Sequence, residues 1–364
     1  MAFTEKYVTA SASGGGDGSI GNPWTIEEAS LNATSGQRVN VKAGSYTLAG
    51  ANIFMQGSNE ANPFSIRGYK TTIGDLDDVP SSQLVDVTDL PLLTTSNSSY
   101  YMYFNGAYQI IENISFKTST SAPAAYVDSS KSFVRRCRFE SQTTGQYTIR
   151  RNGDCVFFSS CYFKMPSGAT VETIDAAGSS FFTGCVFDTG KTAIDTTDSA
   201  HFIDCILKDL SNNAIAISTT GHSMISNCTF YNISGNGVSI SSTNSGPVFV
   251  RSCIFHSIGA YAISTSSGDF DCFATNNLYY GVTLGQFNNI YDDEHRNIYT
   301  DSSDPFTNAS GGDFTLLQSS NGVKKSSPKL FEVFDQGTSR DIGAVQSSGG
   351  GGPRKVSLNG GING

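Results

Sequence analysis

Apolar positions return along this chain at a fixed phase. They fall three residues before, at, and two residues after a recurrent slot. Cysteine fills that slot as Cys137, Cys161, Cys185, Cys205, Cys228 and Cys253, at intervals of 24, 24, 20, 23 and 25 residues. Ile114 occupies it one step earlier and Asn277 one step later. The preceding apolar column is Ile111, Val134, Phe158, Phe182, Phe202, Ile225 and Val250. The following one is Phe116, Phe139, Phe163, Phe187, Leu207, Phe230, Phe255 and Tyr279. Residues directly before the slot are mostly polar: Arg136, Ser160, Asp204, Asn227 and Ser252. This spacing predicts a short strand, a one-residue corner and a second short strand, with each apolar column facing inward and stacking on its copy in the next turn. A repeat of this length outranks local propensity as a guide to fold.

A further strand recurs 10 to 14 residues upstream of the slot, in the segments AAYVD, YTIRR, VETID, TAIDT, NAIAIS, GVSIS and YAIST. Gly or Asn usually introduces it, as in TTGQYT and ISGNGVSI, and both tolerate the left-handed backbone of a sharp corner. Two or three short strands per turn, stacked at about 4.7–4.9 Å, make parallel sheets. The predicted class is therefore all-β, a parallel β-helix with rungs of 20–25 residues over residues 35–280. Residues 1–34 are expected to form an N-terminal cap, with a short amphipathic helix at 25–33 covering the open end of the coil. Residues 56–100 are expected to leave the early rungs, 281–346 to form irregular rungs and a flap, and 347–364 a flexible Gly-rich tail whose PRKVSL segment would be either a docking peptide or plain linker.

Composition supports short strands and tight turns: Gly is 38 of 364 residues and charged residues only 15%. The net charge of −9 argues against a nucleic-acid binder, which needs a basic face. The first residues contain no apolar signal core, and no run of apolar residues is long enough to span a membrane. Assembly in a cytoplasm, with release by lysis or another route, is the expectation, and an extracellular location is the alternative. No CxxC pair is present, so the six slot cysteines read as a buried column of small apolar side chains. Cys155 and Cys272 lie outside the slot and would be free to pair with a neighbour.

The segments DGSIGNPWTIEEA, GQRVNVKAGSYTL and SPKLFEVFDQGTSRDIGAVQ resemble the cap, first rung and closing stretch of the pectate-lyase-like superfamily of right-handed β-helix proteins, over residues 5–346. That superfamily holds lyases, hydrolases, phage tailspikes and non-enzymatic proteins, so the resemblance implies the fold and leaves the function open. Its lyases use carboxylates for calcium with a Lys or Arg base; its hydrolases use paired aspartates with His and Lys motifs.

The nearest match to either chemistry is an outward column read as Asp128, Arg150, Asp175 and Asp195. On adjacent rungs Asp175 and Asp195 would lie about 5 Å apart, which suits a retaining carboxylate pair or a hard cation. A solvated charge ladder neutralised by Arg150 explains the same residues. The cluster Asp292, Asp293, Glu294, His295 and Arg296 reads as loop. His222 follows a glycine but lacks the second glycine and the aspartate motif of the hydrolases; His201 and His256 stand alone. Lys131, Arg135, Arg136, Arg138, Arg150, Arg151 and Lys164 form a local basic cluster. Within it Arg135, Arg136, Arg138 and Arg151 would either meet an acidic partner or pair with neighbouring rungs.

Three functions fit. The first is a non-enzymatic phage virion component, either a capsid decoration (cement) protein or a tail part. Its partners would be virion proteins such as the major capsid protein, and the superfamily analogy suggests a homotrimer. The second is a polysaccharide lyase or glycoside hydrolase acting on an acidic glycan. The third is a carbohydrate-binding surface adhesin. No cofactor is expected, calcium entering only if the protein is a lyase, and neither nucleic acid nor membrane is an expected partner.

Overall fold

The computed structural model describes residues 3–321 apart from 49–51, 55–58, 78–87, 96–101, 129, 153–154, 197, 219–220, 242–245, 267–271, 289–298 and 318. Its strands form three long parallel sheets of 11, 11 and 10 strands, wound as a coil. Each rung contributes one strand to sheet A, then one to sheet B, then one to sheet C. One such rung is Val156–Ser159, Tyr162–Lys164 and Ile174–Ala177. The segments expected to recur upstream of the slot are the sheet C strands.

The A-to-B corner is one residue in left-handed backbone. Asn113, Arg136, Ser160, Gly184, Asp204, Asn227, Ser252 and Asn276 all have φ between 49° and 61°. A single left-handed residue reverses which way the next side chain points, so the slot residue that follows turns inward. All six slot cysteines are fully buried. A cysteine suits the position because it is small and its thiol is a weak donor. Cys185 Sγ donates to the Thr183 carbonyl of its own rung and to the Phe158 carbonyl of the rung below, each at 3.6 Å. Asn277 satisfies the same slot differently. Its side chain accepts from the Cys253 amide at 2.9 Å and donates to the Val250 carbonyl at 3.0 Å. None of the eight cysteines forms a disulfide, and Cys272 is buried at the start of a sheet A strand.

The core is built of stacked like residues. Phe116, Phe139, Phe163 and Phe187 stack at 5.0, 5.4 and 4.8 Å, and Phe158, Phe182 and Phe202 at 5.1 and 4.7 Å. The isoleucines Ile149, Ile174, Ile194 and Ile215 line the inner face of sheet C. Each buried ring contributes about 1.5–3 kcal/mol, and stacked pairs add about 0.5–1.5 kcal/mol.

Helix Ile26–Asn32 forms where the sequence places it, capped by Thr25 with Glu28 reaching back to the Thr25 amide. The cap also holds a strand, Thr4–Val8, which pairs with Gln37–Lys42 and opens sheet A. The expected departure over 56–100 is narrower in the structure. Phe64–Tyr69 and Leu92–Thr95 are ordinary rung strands of sheets A and B, so among the described residues the departure is confined to 70–77 and 88–91. Residues expected as irregular continue the coil through Gly285–Asn288 and Tyr299–Thr300. The hairpin Phe306–Asn308 with Asp313–Leu316 then folds back as a flap. Its Phe306, Phe314 and Leu316 pack on Ile254 and Leu278, which face outward from sheet B. The tail and its PRKVSL segment lie outside the described residues.

Candidate functional site

The outer face of sheet C carries one register column of reactive and aromatic side chains: Tyr103, Tyr126, Arg150, Asp175 and Asp195, followed by Ala216, Ser239, Ser264 and Asn288. Parallel pairing puts each residue about 4.8 Å from the next. Asp128 is not in this column. It pairs with Asn105, two residues further along the strand, and Tyr126 takes the place beside Arg150. The cause is the two-residue period: Val127 and Ala125 both face inward, and the small Ala125 is the one in register with Ile149.

Arg150 holds the centre of the column. Its Nε lies 3.2 Å from Asp175 Oδ2, and its guanidinium sits 5.7 Å from the Tyr126 ring centre. Tyr126 meets Tyr103 edge to face at 4.7 Å and 74°, and Tyr103 Oη donates to Asp128 Oδ2 at 2.7 Å. Partial burial raises the carboxyl pKa of Asp175; Arg150 opposes the shift and Glu172 adds to it. Burial raises Asp195 as well, with Glu172 adding, while Ser218 and Lys191 counter it. Burial, and then the charge of Asp175, raises the Tyr147 phenol. The result is a strip where ring faces, a guanidinium and two carboxyls of raised pKa converge. It can stack on a sugar ring and accept hydrogen bonds from hydroxyls.

The donor set does not suit calcium. Arg150 already occupies an oxygen of Asp175, and no group of three or more His, Cys, Asp or Glu side chains lies within metal-binding reach among the described residues. No step through a metal follows from these residues.

The basic cluster is dispersed rather than gathered. Arg135 pairs with buried Glu112, and Arg136 bonds Asn113 Oδ1 at 2.8 Å and lies 3.4 Å from Asp77. Arg138 pairs with Glu140 at 2.6 Å and covers the Tyr162 ring at 4.8 Å. Arg151 is 1% exposed and donates to the Ser179 carbonyl at 2.8 Å. Its burial removes it from any docking surface, and the other three side chains lie on sheet A, on the corner and on sheet B. His256 is buried between Tyr231, Tyr280 and Phe306, with Nε2 3.2 Å from Asp304. His222 is an exposed residue ahead of a sheet A strand. The acidic cluster at 292–296 lies outside the described residues.

Two outer columns escape a reading that follows the buried positions alone. Sheet B alternates in sign along Lys117, Glu140, Lys164, Asp188 and Lys208, with ion pairs at 3.5 Å and 3.2 Å at its ends. Sheet A carries a ladder four residues before the slot, apolar apart from the imidazole of His201: Ile110, Phe133, Phe157, Phe181, His201, Met224, Phe249 and Phe273. Its rings stack at 5.0, 4.7, 4.6 and 5.0 Å, with planes within 14°. Phe133 is 51% exposed and Phe249 42%. The signal was present in the doublets FV, FF, FF, HF and MI, whose first members share one phase.

Residues 144–279 match a family model described as right-handed beta helix region. Pectate lyase Pel9A superposes with a TM-score of 0.61 at 12% identity, covering 95% of this chain and 97% of that one. The fold is a pectate-lyase-like right-handed parallel β-helix. A rhamnogalacturonan lyase superposes on this β-helix with a TM-score of 0.51 at 10% identity, covering 84% and 90% of the two chains. A tailspike from Acinetobacter baumannii bacteriophage Fri1, a capsular polysaccharide depolymerase, reaches only 0.43 at 14% identity, covering 86% and 56%, too low to support an argument. No curated protein sequence matches the β-helix significantly. These likenesses describe its backbone and say nothing of its chemistry.

Proposed function

We propose that this β-helix is a structural component of a phage particle, a capsid decoration protein or a tail part, that docks through the outer face of sheet A. The observation that carries the reading is the eight-rung ladder on that face. Apolar surface exposed in a straight line marks a protein contact. The buried thiol column fits folding in a reducing cytoplasm before release. Mass spectrometry of gradient-banded virions tests the reading. Many copies per particle are expected for decoration and a few for a tail part, and absence from particles overturns it.

A second reading is favoured by the sheet C column alone: binding, or cleavage, of an acidic glycan. Tyr126 meets Tyr103 edge to face and carries the Arg150 guanidinium over its ring, so aromatic side chains and a cation stand together on this strip. Calorimetry against acidic oligosaccharides is expected to show binding that Tyr126→Ala weakens roughly tenfold or more, the loss of one stacking contact of about 1.4 kcal/mol. Equal affinity of the variant removes this strip as a sugar site.

A further inference from the structure

We infer that the outer face of sheet A is the contact surface for a second copy of this chain. The inference rests on the assembly reading above and names the partner that meets the face first. The protein treats its apolar outer columns unequally. On sheet B, Tyr162 and Val186 lie under Leu76 and Leu90, while Ile254 and Leu278 lie under the flap. On sheet A no such cover exists among the described residues, and Phe133 and Phe249 stand about half in solvent.

The ring geometry decides what kind of partner fits. Phe133, Phe157, Phe181 and His201 are stacked face to face, so only their edges point outward. A sugar or nucleobase needs a ring face to stack on and finds none along the ladder. What the face offers is a row of ridges repeating at the rung spacing, about 4.8 Å, for eight rungs. A partner without that spacing matches a rung or two and then falls out of step. A second copy has the same spacing by construction and interdigitates along the whole length.

Size and charge agree. Eight rungs by one four-residue strand measure about 38 Å by about 13 Å, a footprint near 500 Å² per copy. Two such footprints reach the roughly 1,000 Å² that a specific interface requires, and corner residues at the rim add to it. The net charge of −9 would drive copies apart elsewhere on the surface. Along the eight rungs of the ladder sheet A carries no exposed acid; the exposed Glu5 stands three strands before Ile110, paired with Arg38. Beside the ladder run Arg135, Ser159, Thr183, Ile203, Ser226 and Arg251, and Glu112 is buried against Arg135 and Arg136.

Sedimentation velocity and light scattering on the full chain at micromolar concentration test this, with the variant Phe157→Glu/Phe181→Glu. Both side chains lie outside the core, so the variant should keep the wild-type circular dichroism spectrum and melting temperature. The wild type is expected as one discrete oligomer, and the variant as a monomer with a dissociation constant at least a hundredfold higher. A monomeric or polydisperse wild type overturns the inference, and so does a folded variant that still associates. Incorporation into virions is scored separately. A monomeric wild type that enters particles through this face, and a variant that does not, would leave the assembly reading standing and show a different virion protein as the partner. A discrete oligomer absent from particles would sink the assembly reading and leave the self-contact.

Discussion

At the slot beside each corner, backbone geometry and side-chain size act on the same residue. The left-handed residue before it aims its Cβ into the coil, where a neighbouring copy sits one rung above and one below. The slot residue is buried between the −3 and +2 apolar columns, and a thiol there keeps two carbonyls weakly bonded. Burial pushes the Cys137, Cys185 and Cys228 thiols well above their ordinary range, so they stay protonated and inert. Cys185→Asp is expected to cost on the order of 3–5 kcal/mol, because a carboxyl there must either ionise unsolvated or hold a proton against its ordinary pKa. Cys185→Ala should cost only about 1 kcal/mol. Thermal melts of the two variants check this, and a wild-type-like melt for the aspartate would show that the slot faces solvent. The cysteine assignment was open to inspection in the sequence, because six copies at one phase with aromatic neighbours leave few alternatives.

At the scale of a strand, pattern reading succeeded on the inner columns and slipped on the outer ones. Inner positions repeat as large apolar residues, so their phase is unambiguous. The sheet C column slipped by two residues at Asp128, because Ala125 and Val127 are both apolar and the side-chain period is two. Pairing then replaced an acid with Tyr126 and changed the expected column of three carboxylates and Arg150 into two carboxylates and Arg150 beside rings. In that column Asp195 has a pKa raised above its ordinary 3.8, chiefly by burial. The sign follows from linkage: the stability it contributes is fully present below pH 3.8 and is lost as pH rises through the raised value. Asp195→Asn should therefore raise the melting temperature at pH 7, by about 1–2 °C since the side chain is partly screened by solvent, and leave it unchanged at low pH. A melting temperature lowered at pH 7 would mean that its hydrogen bond to Ser218, not its burial, dominates.

The three faces of the coil differ in chemistry and in cover. Sheet B is closed off by the chain's own flap and by the segment between its early rungs. Sheet C is polar and aromatic, and sheet A carries a ladder of rings that nothing covers among the described residues. The tests divide along the same lines, since glycan binding reads sheet C and both sedimentation and virion incorporation read sheet A. The sequence by itself determined the coil, its rung length, its inner columns and its capping helix, because each follows from short-range periodicity repeated eight times or from a local capping box. Only the tertiary structure decided which residues of the sheet C strands share an outer column, that Arg151 is buried, that the flap packs on sheet B, and that the ladder four residues before the slot is left without a cover among the described residues. Those facts depend on interstrand register and long-range packing, and neither has a period that can be read along a single chain.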